Sequence, residues 1–81
     1  MNTITVRYFA VLAEKCGKRE EKFELADKVS CADLYARIKE TYQLSFDVSR
    51  LRPAVNDEFS TWDRQLADGD EMVIITPVAG G

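Results

Sequence analysis

The sequence contains no histidine, and only two of its 81 residues are cysteine. Histidine is the side chain that ordinarily titrates close to neutral pH, so its absence excludes a histidine-based acid–base centre. Cys16 and Cys31 lie far apart and form no CxxC motif, and with no histidine to join them a zinc site is excluded as well. Such sparse use of cysteine predicts a reduced, cytosolic protein. Neither cysteine has a neighbouring base, so both thiols are expected to pack rather than react.

Long apolar runs are also missing. No segment approaches the roughly 20 apolar residues that a membrane-spanning helix needs. Polar residues interrupt the opening "MNTITVRYFAVLAE", which indicates a strand rather than a signal peptide. The composition, 46% hydrophobic and 31% charged, is typical of a globular chain. A chain of this length forms one domain and is too small to build a deep catalytic cleft.

Positive charge is scarce, since the formal net charge is −3. An acidic chain lacks the positive field that dominates nucleic-acid affinity, so no nucleic-acid partner is expected. Acidic residues do cluster at Asp57-Glu58 and at Asp68, Asp70 and Glu71, but their spacing does not match a calcium loop. We expect these carboxylates to be solvated turn residues, and we expect no metal site.

The first part of the sequence alternates between apolar and polar residues in "NTITVRY". That period of two predicts a strand with Ile4, Val6 and Tyr8 facing the core. Phe9 then falls on the opposite face. "VLAEKCG" predicts a short helical turn closed by Gly17, and "KREEKFEL" predicts a second strand, so that the two strands form a wide hairpin.

One amphipathic helix is predicted in the middle of the chain. Ser30, followed three residues later by Asp33, fits a capping box in its acidic form. Apolar residues then recur at spacings of three and four, which indicates a single buried stripe. The stripe consists of Cys31, Leu34, Tyr35, Ile38 and Tyr42.

The second half of the sequence predicts three more strands. After an irregular connector, "QLSFDVSRLRP", the segment "AVNDEFSTW" predicts two short strands around an Asn56-Asp57 turn. A further turn at Asp68-Gly69 precedes "MVIITPV", whose continuous apolar run is typical of a central strand. The resulting order predicts an α+β roll, with a mixed sheet of about five strands packed on one main helix. It comprises residues 1–76 and is followed by a short tail, residues 77–81.

The tail is suited to presenting its terminal carboxylate to another protein. Pro77 cannot donate a hydrogen bond to a sheet, so it is expected to end the last strand. Gly80 and Gly81 lack side chains and allow the tail to thread a narrow passage. Five extended residues reach about 15–18 Å, enough to cross the wall of a partner protein. Because a carboxylate is a poor electrophile, it must be activated before it can react.

Three stretches together carry a resemblance to a known family: "VRYFAVLAEKCG", "AVN" and the terminal "LADGDEMVIITPVAGG". They resemble the small subunits of molybdopterin synthases, which are sulfur carriers with the ubiquitin-like β-grasp fold. The resemblance extends over essentially the whole chain. A Gly-Gly end alone would indicate little, because many chains end in this way by chance.

The resemblance implies a reaction cycle at Gly81. A partner activating enzyme uses ATP and magnesium to adenylate the Gly81 carboxylate, and sulfide from a persulfide donor then displaces AMP to leave a thiocarboxylate. The loaded tail enters the large subunit of the synthase, with which the chain forms a heterotetramer, and donates sulfur to a cyclic pyranopterin monophosphate. The product is the dithiolene of molybdopterin. The chain alone would be catalytically inert.

An apolar patch beside the tail is the predicted partner surface. If the first and last strands are neighbours, Phe9, Val73 and Ile75 lie on one face. Exposed contiguous apolar surface marks interaction sites. A buried central strand would show the same pattern, and only the resemblance favours the interface. It also implies that the tail residues contact the partner, namely Pro77, Val78 and Ala79.

Three other functions remain open from the sequence. Carriers for thiamine thiazole synthesis also end in Gly-Gly but are typically shorter. A ubiquitin-like modifier would be joined through Gly81 to lysines of its targets. A protein-interaction module would have a tail with no chemistry.

Overall fold

The computed structural model describes residues 1–76, and its elements follow the predicted order. Residues 77–81, the predicted tail, lie outside the described residues. The elements are β1 (Asn2–Tyr8), α1 (Val11–Cys16), β2 (Glu20–Leu25), α2 (Cys31–Tyr42), a 3₁₀ turn (Val48–Arg50), β3 (Arg52–Val55), β4 (Glu58–Phe59) and β5 (Glu71–Ile75). The predicted α+β class is therefore confirmed.

The five strands form one mixed sheet in the order β2-β1-β5-β3-β4. β1 and β5 are parallel, with Val6 opposite Met72 and Tyr8 opposite Ile74, while the other pairs are antiparallel. β5 is thus the middle strand, as its apolar run predicted. The pairing of β1 with β5 joins the first strand of the described residues to the last.

One face of the sheet and one stripe of α2 form the core. Ile4, Val6 and Tyr8 are buried, which confirms the face predicted for β1. Four of the five predicted stripe residues of α2 are buried in the same apolar cluster, and Tyr42 packs against it. Because both periodic patterns point into one cluster, the helix and the sheet bury each other's apolar surface.

The capping box at the start of α2 forms as predicted. Ser30 Oγ accepts a hydrogen bond from the Asp33 amide at 3.1 Å, and Asp33 Oδ2 accepts one from the Ser30 amide at 3.2 Å. Two backbone N–H groups that would lack partners in the first turn are satisfied in this way, and such a cap contributes about 1 kcal/mol.

The sequence prediction was wrong about where β3 begins. The strand starts at Arg52 and includes Pro53, which the prediction had left in the irregular connector. Proline is tolerated because the carbonyl of Pro53 accepts from the Ser60 amide, just beyond the end of β4, and the ring nitrogen is not needed as a donor there. The following turn forms as predicted, with positive φ angles of 51° at Asn56 and 70° at Asp57.

A tight turn after β1 sets the direction of Phe9. The Leu12 amide donates to the Phe9 carbonyl at 3.1 Å, and Ala10, inside this turn, has φ 50° and ψ −120°. A side chain is rarely compatible with this region of the backbone, which glycine adopts freely, and occupying it costs on the order of 1–3 kcal/mol. The alanine is therefore strained.

A polar cluster stabilises the same end of the sheet. Glu21 Oε1 accepts hydrogen bonds from the Tyr8 hydroxyl at 2.9 Å and from the Tyr42 hydroxyl at 2.7 Å. The Lys18 ammonium lies 3.6 Å from Glu21 Oε2, and the two tyrosine rings meet edge to face. One carboxylate thus connects β1, β2 and the end of α2.

These contacts change the acidity of Glu21. Burial by itself raises the pKa of this carboxyl, but the hydrogen bonds from Tyr42 and Tyr8, together with Lys18, outweigh burial and lower the pKa below its ordinary 4.5. The pKa of Tyr8 is strongly raised, first by burial and then by the Glu21 carboxylate. The cluster is therefore held with Glu21 ionised and the tyrosines protonated.

We predict opposite effects for one substitution at two neighbouring positions. Ala10→Gly should raise the free energy of unfolding by about 1 kcal/mol, because relief of the strain exceeds the added freedom of the unfolded chain. Ala13→Gly, inside α1, should lower it by about 1 kcal/mol. Urea denaturation measures both values. A loss of stability in Ala10→Gly as large as that in Ala13→Gly would show that Ala10 is not strained.

We also predict a pH-dependent contribution from Glu21. Its pKa is lower in the folded than in the unfolded protein, so its stabilisation is present above the ordinary 4.5 and disappears as the pH falls through the folded value. At neutral pH, Glu21→Gln should lower the free energy of unfolding by roughly 1–2 kcal/mol, because the hydrogen bonds lose their charged acceptor. At a pH well below 4.5, wild type and variant should converge in urea denaturation.

Glu24→Gln is the matched control for that measurement. Glu24 belongs to the same strand, but its side chain is exposed and makes no hydrogen bond within the described part of the chain. Its substitution should leave the free energy of unfolding nearly unchanged at both pH values. An equal pH dependence in both variants would contradict a specific role for Glu21.

Candidate functional site

Phe9 is the apolar side chain that stands out at the end of β1. It is 54% exposed, although Tyr8 immediately before it is buried. The strand ends at Tyr8, and the strained turn at Ala10 then carries the chain into α1. Phe9 therefore lies at the surface at the end of the sheet towards which both β1 and β5 run.

The two other residues of the predicted patch lie on β5. Val73 and Ile75 are half-buried and alternate with the fully buried Met72 and Ile74. Val73 pairs with Arg7 of β1. The structure thus places β1 and β5 side by side, as the patch requires, and leaves one face of β5 partly accessible. Whether a partner binds these residues stays a prediction.

Phe9 stands between two surface concavities. The larger, of about 570 Å³, is lined by Tyr8, Phe9, Ala10, Ala13, Glu14, Gly17, Lys18 and Arg19. The smaller, of about 400 Å³, is named the Phe9 groove and is lined by Arg7, Tyr8, Phe9, Arg19, Glu20 and Val73. Phe9 and Val73 are therefore brought together in one groove. Ile75 is not among its lining residues.

Charged side chains surround the apolar centre of the Phe9 groove. Arg7 Nε lies 3.2 Å from Glu20 Oε1 and 3.6 Å from Glu71 Oε2. Arg19 is exposed and lines both concavities. Sequence reasoning missed Arg19, because its segment has no apolar periodicity. Only the hairpin pairing, in which the Arg19 carbonyl accepts from the Tyr8 amide at 2.9 Å, brings it beside Phe9.

Both cysteines are buried and free. Cys31 is fully buried in the stripe of α2, and Cys16 ends α1. Burial raises the pKa of each thiol, which keeps both in the less reactive protonated form. This agrees with the expectation that they pack and carry no chemistry.

The acidic residues of the turns have a structural role that the sequence prediction did not include. Asp68 Oδ1 accepts from the Thr3 amide at 2.7 Å, and Asp70 Oδ2 accepts from the Ala67 amide at 2.8 Å. Asp68 is exposed, as expected, whereas Asp70 is half-buried, and both satisfy backbone donors around the start of β5. Within residues 1–76, no three histidine, cysteine or acidic side chains are grouped closely enough to hold a metal ion.

No helix within residues 1–76 combines the length and the apolar character needed to cross a bilayer. The predicted reactive residue Gly81 lies outside the described residues. So do the tail residues predicted to thread into or contact the partner, which are Pro77, Val78, Ala79 and Gly80. β5 ends at Ile75, and the tail follows one residue later, after Thr76.

Comparison with known proteins identifies a family and similar proteins. The model of the ThiS family matches residues 6–81. Over 81 aligned residues the chain is 38% identical to the molybdopterin synthase sulfur carrier subunit of Chlamydomonas reinhardtii, and the match covers 96% of this chain and 98% of that relative.

Two solved structures are similar to the described fold. A Pyrococcus furiosus protein provisionally named molybdopterin converting factor subunit 1 has a TM-score of 0.82 and 29% identity, covering 96% of this chain and 100% of the other. A chain from the complex of subunits 1 and 2 of the Helicobacter pylori molybdopterin-converting factor has a TM-score of 0.67 and 22% identity, covering 98% and 99%, and shows the fold alone. The fold is the ubiquitin-like β-grasp that the resemblance implied. With a family model over nearly all of its length, a relative aligned almost end to end, and a shared fold, the chain belongs to the ThiS family.

Proposed function

We propose that this chain is the sulfur carrier subunit of a molybdopterin synthase and that Gly81 carries the sulfur. The observation that supports this most directly is the position of β5. The strand that leads to the tail lies in the middle of the sheet, runs parallel to β1 and ends beside Phe9. A relative that aligns over nearly its whole length bears the name of such a carrier. The last strand before the tail therefore ends next to an apolar surface suited to docking.

The chemistry is expected to take place at the Gly81 carboxylate. A carboxylate resists attack by nucleophiles because its negative charge is delocalised over two oxygens. Transfer of AMP from ATP to one of these oxygens releases pyrophosphate and creates a good leaving group. Sulfide then adds to the acyl carbon, AMP departs, and a thiocarboxylate remains. ATP and magnesium would be bound by the activating enzyme. A persulfide donor would supply the sulfur, and a thiol would reduce the persulfide, forming a disulfide with the donor and releasing the outer sulfur as sulfide.

The second half of the cycle requires the large subunit of the synthase. The chain has no histidine and its two cysteines are buried, so neither residue type is available for sulfur transfer. It would act by delivery, with the large subunit binding the cyclic pyranopterin monophosphate. Docking through Phe9 and Val73 would hold the domain outside while Gly80 and Gly81 enter the partner's site. Pro77, Val78 and Ala79 would contact the passage.

A carrier for thiamine thiazole synthesis and a ubiquitin-like modifier use the same first step, adenylation of a terminal glycine. They differ in the acceptor of the activated acyl group or its sulfur. The thiazole carrier gives its sulfur to a thiazole precursor, and the modifier forms an isopeptide bond with a lysine. The carrier for molybdopterin is favoured by the identity and full-length alignment with the Chlamydomonas relative.

We predict that sulfur loading depends strictly on the position of Gly81. With the activating enzyme, ATP, magnesium and sulfide, the chain should gain the mass difference between sulfur and oxygen, measured by intact-protein mass spectrometry. Deletion of Gly81, or addition of one residue after it, should abolish this gain, because the carboxylate is displaced by about 3.3–3.6 Å from its position at the nucleotide. Circular dichroism should show that both variants remain folded.

Three outcomes would contradict that proposal. Cofactor synthesis by the chain lacking Gly81 would exclude the terminal glycine as the sulfur carrier. Transfer of sulfur only to a thiazole precursor would instead identify the thiazole carrier. Isopeptide products on lysines would identify the modifier.

We predict that Phe9 is the apolar anchor for the large subunit. Phe9→Ala should weaken binding by about 30-fold, the loss typical of a buried aromatic at the centre of an interface. Phe59→Ala is the matched control, since Phe59 is 69% exposed but lies on β4, two strands away from β5. Isothermal titration calorimetry gives both affinities. Equal weakening by the two substitutions would show that the interface is not centred on Phe9.

A further inference from the structure

The Phe9 groove has an apolar centre and is also lined by an arginine whose backbone is held by the sheet. Phe9 and Val73 provide the apolar surface. The Arg19 carbonyl accepts from the Tyr8 amide at 2.9 Å, which extends the β1–β2 pairing and holds the Arg19 backbone beside the end of β1. The Arg19 side chain therefore extends from a backbone position that is held next to Phe9.

Two cations close to Arg19 are already paired. Arg7 contacts Glu20 and Glu71, at 3.2 Å and 3.6 Å, and Lys18 contacts Glu21 at 3.6 Å. Within residues 1–76, Arg19 forms no ion pair, and Glu20, the one carboxylate that lines the groove, is the partner of Arg7. Arg19 is thus the guanidinium of the groove lining that has no ion-pair partner within residues 1–76.

One carboxylate faces Arg19 from outside the groove. Glu14 of α1 lines the larger concavity on the other side of Phe9, which Arg19 also lines. No ion pair joins Glu14 to Arg19 within the part of the chain that the structure describes. A ligand that enters the Phe9 groove can therefore form an ion pair with Arg19.

We infer that the Phe9 groove binds a partner segment in which an aspartate or glutamate stands beside an apolar side chain. The apolar side chain would cover Phe9 and Val73, and the carboxylate would pair with Arg19. The planar guanidinium can donate two parallel hydrogen bonds to one carboxylate, and covering the groove would shield this pair from water. The net charge of −3 makes most of the surface unfavourable for an acidic segment, so Arg19 would also set its orientation.

This inference rests on the proposed function, because the partner to be tested is the large synthase subunit of the same organism. Calorimetry should compare its binding to the wild type, Arg19→Glu and Arg19→Gln. Arg19→Glu should weaken binding roughly tenfold at low salt and Arg19→Gln by less, while high salt should bring the variants towards the wild type. Arg37→Glu, the same charge reversal on the exposed face of α2, should bind like the wild type.

The outcomes separate this inference from the proposed function. Unchanged affinity in Arg19→Glu, with tight binding of the wild type, would overturn the role of Arg19 and leave the carrier function intact. Equal weakening in Arg37→Glu would reveal a general effect of net charge and would also overturn it. A wild type that is loaded at Gly81 but does not bind the large subunit would overturn both. If replacing one acidic residue of the large subunit by a basic one restores its binding to the Arg19→Glu variant, that acidic residue is the one that pairs with Arg19.

Discussion

The parallel pairing of β1 with β5 is the interaction on which the rest of the molecule depends. It joins Thr5 to Glu71 and so closes a loop that contains most of the chain, which costs conformational entropy. Full burial of Val6, Met72 and Ile74 against α2 offsets that cost. Because the strands are parallel, both end at the same edge of the sheet. The exposed Phe9 and the end of β5 are neighbours for this reason.

Two local features make that edge rigid. The Glu21 carboxylate accepts hydrogen bonds from the hydroxyl groups of Tyr8 and Tyr42. These bonds connect the end of β1 to β2 and to the last turn of α2. The turn at Ala10 then holds Phe9 outward in a backbone conformation that an alanine adopts only under strain. A docking surface that is ordered before binding loses less entropy when a partner arrives.

Under the proposed function, this arrangement would separate the reactive group from the surface that recognises the partner. The described domain has buried, protonated thiols and carboxylates that stabilise turns, and it presents apolar and charged surface beside the last strand. Reactivity would then be confined to a terminal carboxylate that another protein activates. A small domain with little room for an enclosed site can serve in this way, because binding energy comes from its surface while the reacting atoms lie in the partner.

Sequence alone determined the elements whose signal is local or periodic. The alternation of β1, the capping box of α2 and the Asn56-Asp57 turn each depend on side chains only a few residues apart, and all were predicted correctly. The start of β3 was missed, because tolerance of Pro53 depends on its contact with Ser60 across the sheet. The Glu21 cluster and the position of Arg19 were not predictable either, since their contacts join segments that no sequence period connects. Only the tertiary structure decided which charges are paired and which apolar residues remain exposed, because pairing and burial depend on distances set by the whole sheet.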